Sequence, residues 1–259
     1  MKWKIVVFWL FVFAGLWFFF WSFGTSTFQR QEEVQLFIPE WMVIRDMLFV
    51  PGGFCTVAGQ ALVQCYTSSL FVLWVNSTFL CMAGFLCYLL LQEIAPRGYN
   101  QLLALFPVLG LLKAHASPFY VLDGTVGLFL LLLFSYVFIC VRRTATRLFY
   151  GMVSVVLVYC LAGQLVALYG LVVVFMSLLC RRKKWYGSLA VFSAGMLLTY
   201  ASIRLAAGVP LTDGIYSERY QESQLQPDSY VYYVWIRFVV LLLVLFATAF
   251  AMRAISWER

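Results

Sequence analysis

The chain has 259 residues, of which 64% are hydrophobic and only 11% are charged, and its formal net charge is +7. Soluble globular proteins have about 45–50% apolar and about 25% charged residues, so this composition excludes a soluble globular protein. The basic residues stand in short clusters beside apolar runs, which indicates cytoplasmic loops between membrane spans and argues against nucleic-acid binding. We expect an all-α, polytopic membrane helix bundle that forms one transmembrane domain over residues 1–259, with about eight transmembrane helices in the lipid bilayer.

The first apolar run, Ile5–Phe23, follows Lys2 and Lys4. It is long enough to cross a bilayer, and no small-residue cleavage site of a signal peptide follows it. We therefore predict an uncleaved span over residues 4–23 with a cytoplasmic N-terminus, because basic residues stay on the cytoplasmic side.

A polar segment, residues 24–65, follows the first span and is predicted to form an outer loop. Pro39 and the break at Pro51–Gly53 divide it, so we expect two short amphipathic helices on the membrane surface, over 25–37 and 40–50. The apolar side chains expected to face lipid are Trp41, Ile44, Leu48 and Phe49.

The rest of the chain supplies the other spans. Residues 54–91 are too many for one crossing, so 54–65 should lie at the interface or at a sharp angle to the second span. Basic clusters flank residues 148–180, which must then form a short-armed hairpin that bends at Gly163-Gln164. The predicted spans after the first are 66–91, 101–117, 119–141, 148–163, 164–180, 185–207 and 230–252, with a second outer loop over 208–229 and a cytoplasmic C-terminus.

Two features inside or beside the apolar runs have structural explanations. Asn76-Ser77-Thr78 matches a glycosylation sequon, but it falls within a predicted span, so we expect Asn76 to make hydrogen bonds between helices. Cys55 and Cys65 are the cysteines that could reach an oxidising outer compartment. A straight helix separates residues ten apart by about 15 Å, so a disulfide between them would require a bend.

The sharpest candidates for chemistry are Glu32 and Glu33, which lie in the first outer loop. A carboxylate near the membrane plane can act as a general base toward an acceptor hydroxyl, and it can also help to hold a divalent cation, the cofactor that these residues suggest. The alternative is the solvated face of a surface helix. No Cys/His spacing typical of a metal site is present, so no dedicated metal ligands are predicted.

A second set of candidates is predicted to bind substrate at the same surface: Lys113, His115, Asp123 and Arg204. A lipid phosphate needs a cation and a hydrogen-bond donor, which Lys113 and His115 supply. The alternatives for these two are a snorkelling lysine and a hydrogen-bonded histidine at a helix end. Arg204, near the end of a predicted span, requires snorkelling or a partner such as Asp123 or a phosphate. We expect Lys113, His115 and Asp123 to cluster at the outer surface.

Several short motifs follow one another along the chain. They are Phe28–Phe37 (FQRQEEVQLF), Val50–Gly53 (VPGG), Tyr159–Gly163 (YCLAG) and Val209–Leu211 (VPL) ahead of a tyrosine-rich run. In combination they resemble a domain-of-unknown-function family of multi-spanning inner-membrane proteins from Gram-negative gut bacteria. The resemblance covers most of the chain and implies a location in the bacterial inner membrane. It brings no known activity.

The arrangement of the chain also resembles the GT-C type membrane glycosyltransferases, which use polyprenyl-phosphate sugars. The shared features are a cytoplasmic N-terminus, one span, a long outer loop with surface helices and an acidic residue, and short-armed hairpins. The resemblance implies that Glu32 or Glu33 stands where those enzymes have their first-loop carboxylate. Many of them have Asp-Asp or Asp-Glu there, and this chain has Glu-Glu. The resemblance is one of architecture alone.

These observations lead to three functional hypotheses. The first is a lipid-linked-sugar transferase, or a degenerate relative of one, with an outward-facing polar site that binds a lipid-linked glycan. The second is a non-catalytic membrane scaffold or assembly subunit that docks a protein partner through residues 24–65. The third is a small-solute transporter, which ranks last because the sequence shows no internal repeat and no convincing mid-membrane charge.

Overall fold

The fold is taken from a computed structural model. It describes residues 2–23, 28, 31, 39–96, 98–115, 120–163, 165–179 and 186–205. All regular secondary structure in this part of the chain is helical, as the all-α prediction requires.

The helices are listed here in chain order. They are α1 (Lys2–Phe23), α2 (Trp41–Phe49), α3 (Gly53–Gln64), α4 (Ser69–Ile94), α5 (Asn100–Leu103), α6 (Leu105–His115), α7 (Leu122–Cys140), α8 (Thr144–Ala162), α9 (Leu165–Leu179) and α10 (Tyr186–Leu205). A short 3-10 turn, Cys65–Thr67, joins α3 to α4.

Four of these helices are long and apolar enough to cross a membrane. Their apolar segments are Trp3–Ser22 in α1, Leu70–Ile94 in α4, Leu122–Cys140 in α7 and Thr144–Ala162 in α8. They correspond to the predicted spans 4–23, 66–91, 119–141 and 148–163. The prediction of a multi-pass helical membrane protein is therefore confirmed.

The other predicted spans have a less direct counterpart. Residues 101–117 contain α5 and α6, which are shorter than a crossing requires, and α9 and the Gly187–Leu198 part of α10 are apolar but also short. The predicted span 230–252 and the outer loop 208–229 lie outside the described residues. The map of eight crossings therefore stays a prediction.

Helix α7 lies at the centre of the bundle, where it packs against α3, α4, α8 and α9. Its inward face carries Leu128, Leu131, Leu132 and Phe138, all fully buried. The first helix is peripheral by contrast. It packs against α4, and only 17% of its apolar segment is buried inside the bundle. The rest of its surface is thus left for lipid.

Helices α2 and α3 form a hairpin around a tight turn. Gly52 has a φ of 83°, in the left-handed region that favours glycine, and its N–H donates to the carbonyl of Cys160 at 3.0 Å. Helix α3 then packs against α7 and α8. The separation of α3 from the second span was predicted, but its burial in the bundle was not. Gly59 has no side chain, so α3 can approach the backbone of α7 closely at this position.

The predicted surface helix over 40–50 is α2, Trp41–Phe49. Its side chains Trp41, Leu48 and Phe49 are exposed, as expected for a surface helix, and Ile44 is half-buried. The other predicted surface helix, 25–37, lies outside the described residues except at Phe28 and Gln31, which are both buried.

The α8–α9 hairpin bends where the sequence predicted. Helix α8 ends at Ala162, the next residue Gly163 has a φ of 60°, and α9 begins at Leu165. Within the hairpin the hydroxyls of Ser154 and Tyr169 lie 2.6 Å apart. The predicted span 148–163 leaves Arg147 in the basic cluster before it, but α8 begins at Thr144 and includes this residue. Arg147 is almost fully buried, and its guanidinium carbon lies 6.0 Å from the Phe138 ring centroid.

Candidate functional site

Buried polar side chains gather where the end of α6 meets the start of α4 and the start of α7. They are Tyr66, Asn76, His115, Tyr120 and Thr125, and none is more than 5% exposed. We call these five residues the polar cluster. Polar side chains that leave water must find hydrogen-bond partners, so their mutual contacts determine whether the cluster is stable.

The helix order brings the cluster together. Helix α6 runs antiparallel to α4, because Val108 lies against Gly84 while His115 lies against Asn76. Thr125 is in the first turn of α7, ten residues after α6 ends at His115. The three helices therefore present one polar residue each at the same end of the bundle.

The hydrogen bonds of Asn76 define the proton positions in the cluster. Its amide nitrogen lies 3.0 Å from the Val72 carbonyl oxygen, which can only accept, and 2.9 Å from the Tyr66 hydroxyl oxygen. Both amide hydrogens are thereby used, and the amide oxygen Oδ1 faces Nδ1 of His115 at 2.6 Å. Since Oδ1 can only accept, Nδ1 of His115 must carry a hydrogen.

The other side of the imidazole follows from this assignment. In the neutral ring Nε2 has no hydrogen, so it accepts from the hydroxyl of Thr125 at 2.8 Å. The Thr125 oxygen in turn accepts from the Tyr120 hydroxyl at 2.7 Å. The chain of donors and acceptors is consistent from Tyr120 to Tyr66, and both ring nitrogens of His115 are occupied.

Aromatic rings close off the cluster. The ring centroids of His115 and Tyr120 lie 4.9 Å apart, and Phe20 at the end of α1 is 6.2 Å from His115. Phe28 contacts both Phe20 and Tyr66, at centroid distances of 5.5 and 5.7 Å. His115 is itself only 1% exposed, and a neutral imidazole satisfies both of its hydrogen bonds.

Gln31 connects the polar segment 24–65 to the cluster. Its side chain is buried, and its Nε2 donates to the backbone carbonyl of His115 at 3.3 Å. Phe28, three residues earlier, packs into the same aromatic wall. These two anchors hold the beginning of the segment against the end of α6. Glu32 and Glu33 follow Gln31 directly in the sequence but lie outside the described residues.

The predicted substrate-binding residues are separated by burial. His115 and Asp123 are buried, whereas Lys113 is exposed, so the expected surface cluster of these three does not form. The reason is that Asn76 and Thr125 supply His115 with partners inside the bundle. Asp123 lies in the first turn of α7, beside Gly59 of α3. Arg204 is in the last turn of α10, and its side chain lies outside the described part of the structure.

Sequence reasoning identified part of this site. The expectation that Asn76 bonds between helices is confirmed, because it links α4 to α6. Gln31 was noted only as part of the polar segment, and Tyr66, Tyr120 and Thr125 were not singled out. The available signal was their position, since each lies beside an apolar run near a helix end, as His115 does.

The cysteines and the acidic residues complete the survey of possible chemistry. Cys55 is buried, Cys65 is exposed, and both thiols are free. Cys55 is in the first turn of α3 and Cys65 follows its last residue, so the helix keeps the two thiols apart. Among the described residues, no group of three or more His, Cys, Asp or Glu side chains could hold a metal ion. A cation site that includes Glu32 or Glu33 falls outside that part of the chain.

One known protein family matches this chain over its whole length. The model of a family of unknown function, DUF6057, matches residues 1–259. The chain belongs to DUF6057. This agrees with the resemblance drawn from the motifs to a family of unknown function. Comparisons of this DUF6057 chain with curated proteins and with solved structures gave no match. The functional proposal for this DUF6057 chain therefore rests on its fold and on the polar cluster.

Proposed function

We propose that this protein is a bacterial inner-membrane transferase that uses a lipid-linked sugar, with the polar segment 24–65 at the outer face. The observation that supports this proposal is the hydrogen bond from Gln31 to the carbonyl of His115. It fixes the residue immediately before Glu32 and Glu33 against the bundle. A carboxylate on an anchored segment can meet a lipid headgroup repeatedly in one geometry, which general-base catalysis requires.

In this proposal Glu32 or Glu33 takes the proton from an acceptor hydroxyl. The hydroxyl oxygen then attacks the anomeric carbon of the sugar, and the lipid phosphate leaves. Lys113, which is exposed in the last turn of α6, and Arg204 in the last turn of α10 bind that phosphate. His115 acts by positioning Gln31, because both of its ring nitrogens are already hydrogen-bonded. Asp123 is buried against Gly59 of α3 and has no role in this step. Glu32 and Glu33 could also hold a divalent cation, which would supply positive charge for the departing phosphate.

The test is to replace each glutamate by the isosteric amide. In a host strain that depends on this protein for a glycan, Glu32→Gln or Glu33→Gln is expected to lower the amount of glycosylated product by about 100-fold or more, the usual loss when a general base is removed. The measurement is a profile of lipid-linked sugars and surface polysaccharides.

Glu40→Gln is the matched control for this experiment. Glu40 is an exposed carboxylate in the same polar segment, at the residue before α2, and its removal should leave the profile unchanged. Equal protein levels in the membrane fraction must accompany the comparison. Unchanged profiles in both glutamate variants would contradict the transferase proposal.

A second function is supported by the exposed apolar face of α2. Trp41, Met42 and Phe49 are each at least 69% exposed, and the helix has no buried residue. We propose as the alternative that the protein is a scaffold which binds a protein partner through this face. Trp41→Ser together with Phe49→Ser should then abolish co-purification of a stoichiometric partner from the native membrane. The exposed pair Trp3→Ser and Phe11→Ser on α1 is the control and should retain it.

The two proposals make opposite predictions for the same variants. A scaffold should tolerate the glutamate substitutions and fail with the α2 double variant. A transferase should do the reverse. If the α2 double variant retained every partner that co-purifies with the wild type, the scaffold proposal would be contradicted.

A further inference from the structure

The hairpin of α8 and α9 is too short to reach both faces of a bilayer. Helix α9 has 15 residues, so it is about 22 Å long, roughly 8 Å less than the hydrocarbon core. A Cβ added at Gly127 of α7 would lie 2.6 Å from Cδ1 of Leu165 and 3.6 Å from Cβ of Ala162. The tip of the hairpin therefore lies beside Gly127.

Helix α7 shows how deep this tip lies. It has 19 residues, about 28 Å, so it needs its whole length to cross the hydrocarbon core. Its first residue, Leu122, then marks one face of that core, and Gly127 lies about 7.5 Å inside this face. Backbone groups at such a depth need partners within the protein, because no water is present.

The turn between α2 and α3 covers the tip and supplies such a partner. The N–H of Gly52 donates to the carbonyl oxygen of Cys160, in the last turn of α8, at 3.0 Å. Carbonyls in the last turn of a helix have no acceptor role within that helix, so this bond fills one. Gly163 has a φ of 60°, and a Cβ there would lie 2.9 Å from the carbonyl oxygen of Pro51. We call this contact between the VPGG and YCLAG motifs the glycine clasp.

Helix α3 confirms that the turn is the deepest part of its segment. Gly59 lies against Asp123, in the first turn of α7, whereas the Sγ of Cys55 would be 3.7 Å from a Cβ at Gly127. Helix α3 therefore runs antiparallel to α7, and its beginning lies deeper than its end. The turn that precedes α3 lies at the depth of Gly127 or beyond it.

The side chains around the turn suit hydrocarbon. Residues 47–55 (MLFVPGGFC) contain no charged group. Four large apolar side chains here are 42–80% exposed at the surface of the bundle: Leu48, Phe49, Val50 and Phe54. The charged residues that precede the turn, Arg45 and Asp46, form an exposed pair with 3.9 Å between nitrogen and oxygen. Asp46 precedes Val50 by four residues, or about 6 Å of helix, so the pair can stay near the lipid headgroups while the turn lies in hydrocarbon.

We propose that α2 and α3 form a re-entrant hairpin, whose turn lies among the acyl chains of the leaflet where α7 begins. The glycine clasp holds this turn over the tip of the α8–α9 hairpin, and Phe49 and Phe54 contact the acyl chains. A helix on the membrane surface, which the sequence predicted for 40–50, would leave the turn in water. The proposal does not rest on the transferase. It differs from the scaffold alternative at Phe49, where a scaffold would bind a protein.

The experiment places the photoreactive residue p-benzoylphenylalanine at Phe49 or at Phe54 of the full chain, which is irradiated in its native membrane. The excited ketone takes a hydrogen from a nearby C–H bond and the two carbons join, whereas in water the ketone returns unchanged. Mass spectrometry of the purified protein then identifies the adduct. Both positions should give fatty-acyl adducts at a yield at least about fivefold above that of an aqueous position.

Two exposed positions provide the controls. Phe11 is 74% exposed within the candidate span of α1 and should report lipid. Glu40, exposed at the residue before α2, should report water. Yields at Phe49 and Phe54 as low as at Glu40 would overturn the proposal, because the turn would then lie in water. A protein adduct in place of the fatty-acyl adduct would overturn it as well, and at Phe49 it would favour the scaffold.

Gly163→Ala tests the glycine clasp in the same assay, with the folded fraction selected by size-exclusion chromatography. The added Cβ meets the carbonyl oxygen of Pro51, so the turn should leave the tip and the fatty-acyl yield at Phe49 should fall at least about threefold. Gly52→Ala strains the same contact from the other side and should act alike. The yield at Phe11 should not change. An unchanged yield at Phe49 in both variants would contradict the clasp.

Discussion

His115→Leu is expected to destabilise the protein by about 2–5 kcal/mol, because it leaves the amide oxygen of Asn76 and the hydroxyl of Thr125 without the partners they have inside the bundle. Burial makes this loss large. At a surface, water would replace the imidazole, but every member of the polar cluster is at most 5% exposed. The measurement is the free energy of unfolding of the detergent-solubilised protein, titrated with a denaturing detergent.

Two further variants test whether the lost hydrogen bonds of the polar cluster cause this destabilisation. Lys113→Leu alters the same helix two residues earlier at an exposed position, and it should change stability by less than about 0.5 kcal/mol. The double variant Asn76→Leu with His115→Leu removes both partners of one hydrogen bond, so it should lose less than the sum of the single variants. Strict additivity, or a neutral His115→Leu, would contradict the hydrogen-bond assignment.

Gly59→Ala is expected to cost about 3 kcal/mol, the upper end for an overpacked core. A Cβ at Gly59 would lie 2.6 Å from the backbone nitrogen of Asp123 and 2.8 Å from its Cα. Backbone atoms of a central helix cannot rotate away as a side chain can, so α3 and α7 would have to separate. We expect a lower yield of folded monomer in size-exclusion chromatography and a lower free energy of unfolding.

Gly15→Ala is the control for the glycine experiment. Gly15 is also within a helix, α1, but a Cβ there would meet nothing within 4 Å. This variant should be as stable as the wild type or slightly more stable, because alanine is the better helix former. If Gly59→Ala were as stable as Gly15→Ala, α3 could not lie against α7 as described.

The amino-acid sequence predicted the helical membrane class and the positions of the long apolar helices, because hydropathy over about 20 residues reflects the thickness of a bilayer directly. It also predicted the bend at Gly163 from the basic clusters on either side. Burial of Arg147 was missed because a charge beside an apolar run is usually taken as the end of a span. Its guanidinium instead lies by the Phe138 ring.

The candidate site was harder to predict for a physical reason. Polar residues in helices that are far apart in sequence come together only when the packing order of those helices is known. His115 and Asn76 are 39 residues apart, and the sequence around neither residue indicates that the two side chains form a hydrogen bond. The same applies to α3, whose composition suits a membrane surface and whose burial depends on Gly59 facing α7.

The central place of α7 has a consequence for biogenesis. Helices α1 to α6 leave the ribosome before the helix on which α3 and α4 pack, so they enter the bilayer without the neighbour that completes their contacts. During that interval the translocon or an insertase must shield His115, whose partner Thr125 is in α7, and the side of α3 at Gly59 that will contact α7. A chain arrested shortly before Leu122 should therefore be captured by a membrane chaperone, and one arrested well after Cys140 should be released from it.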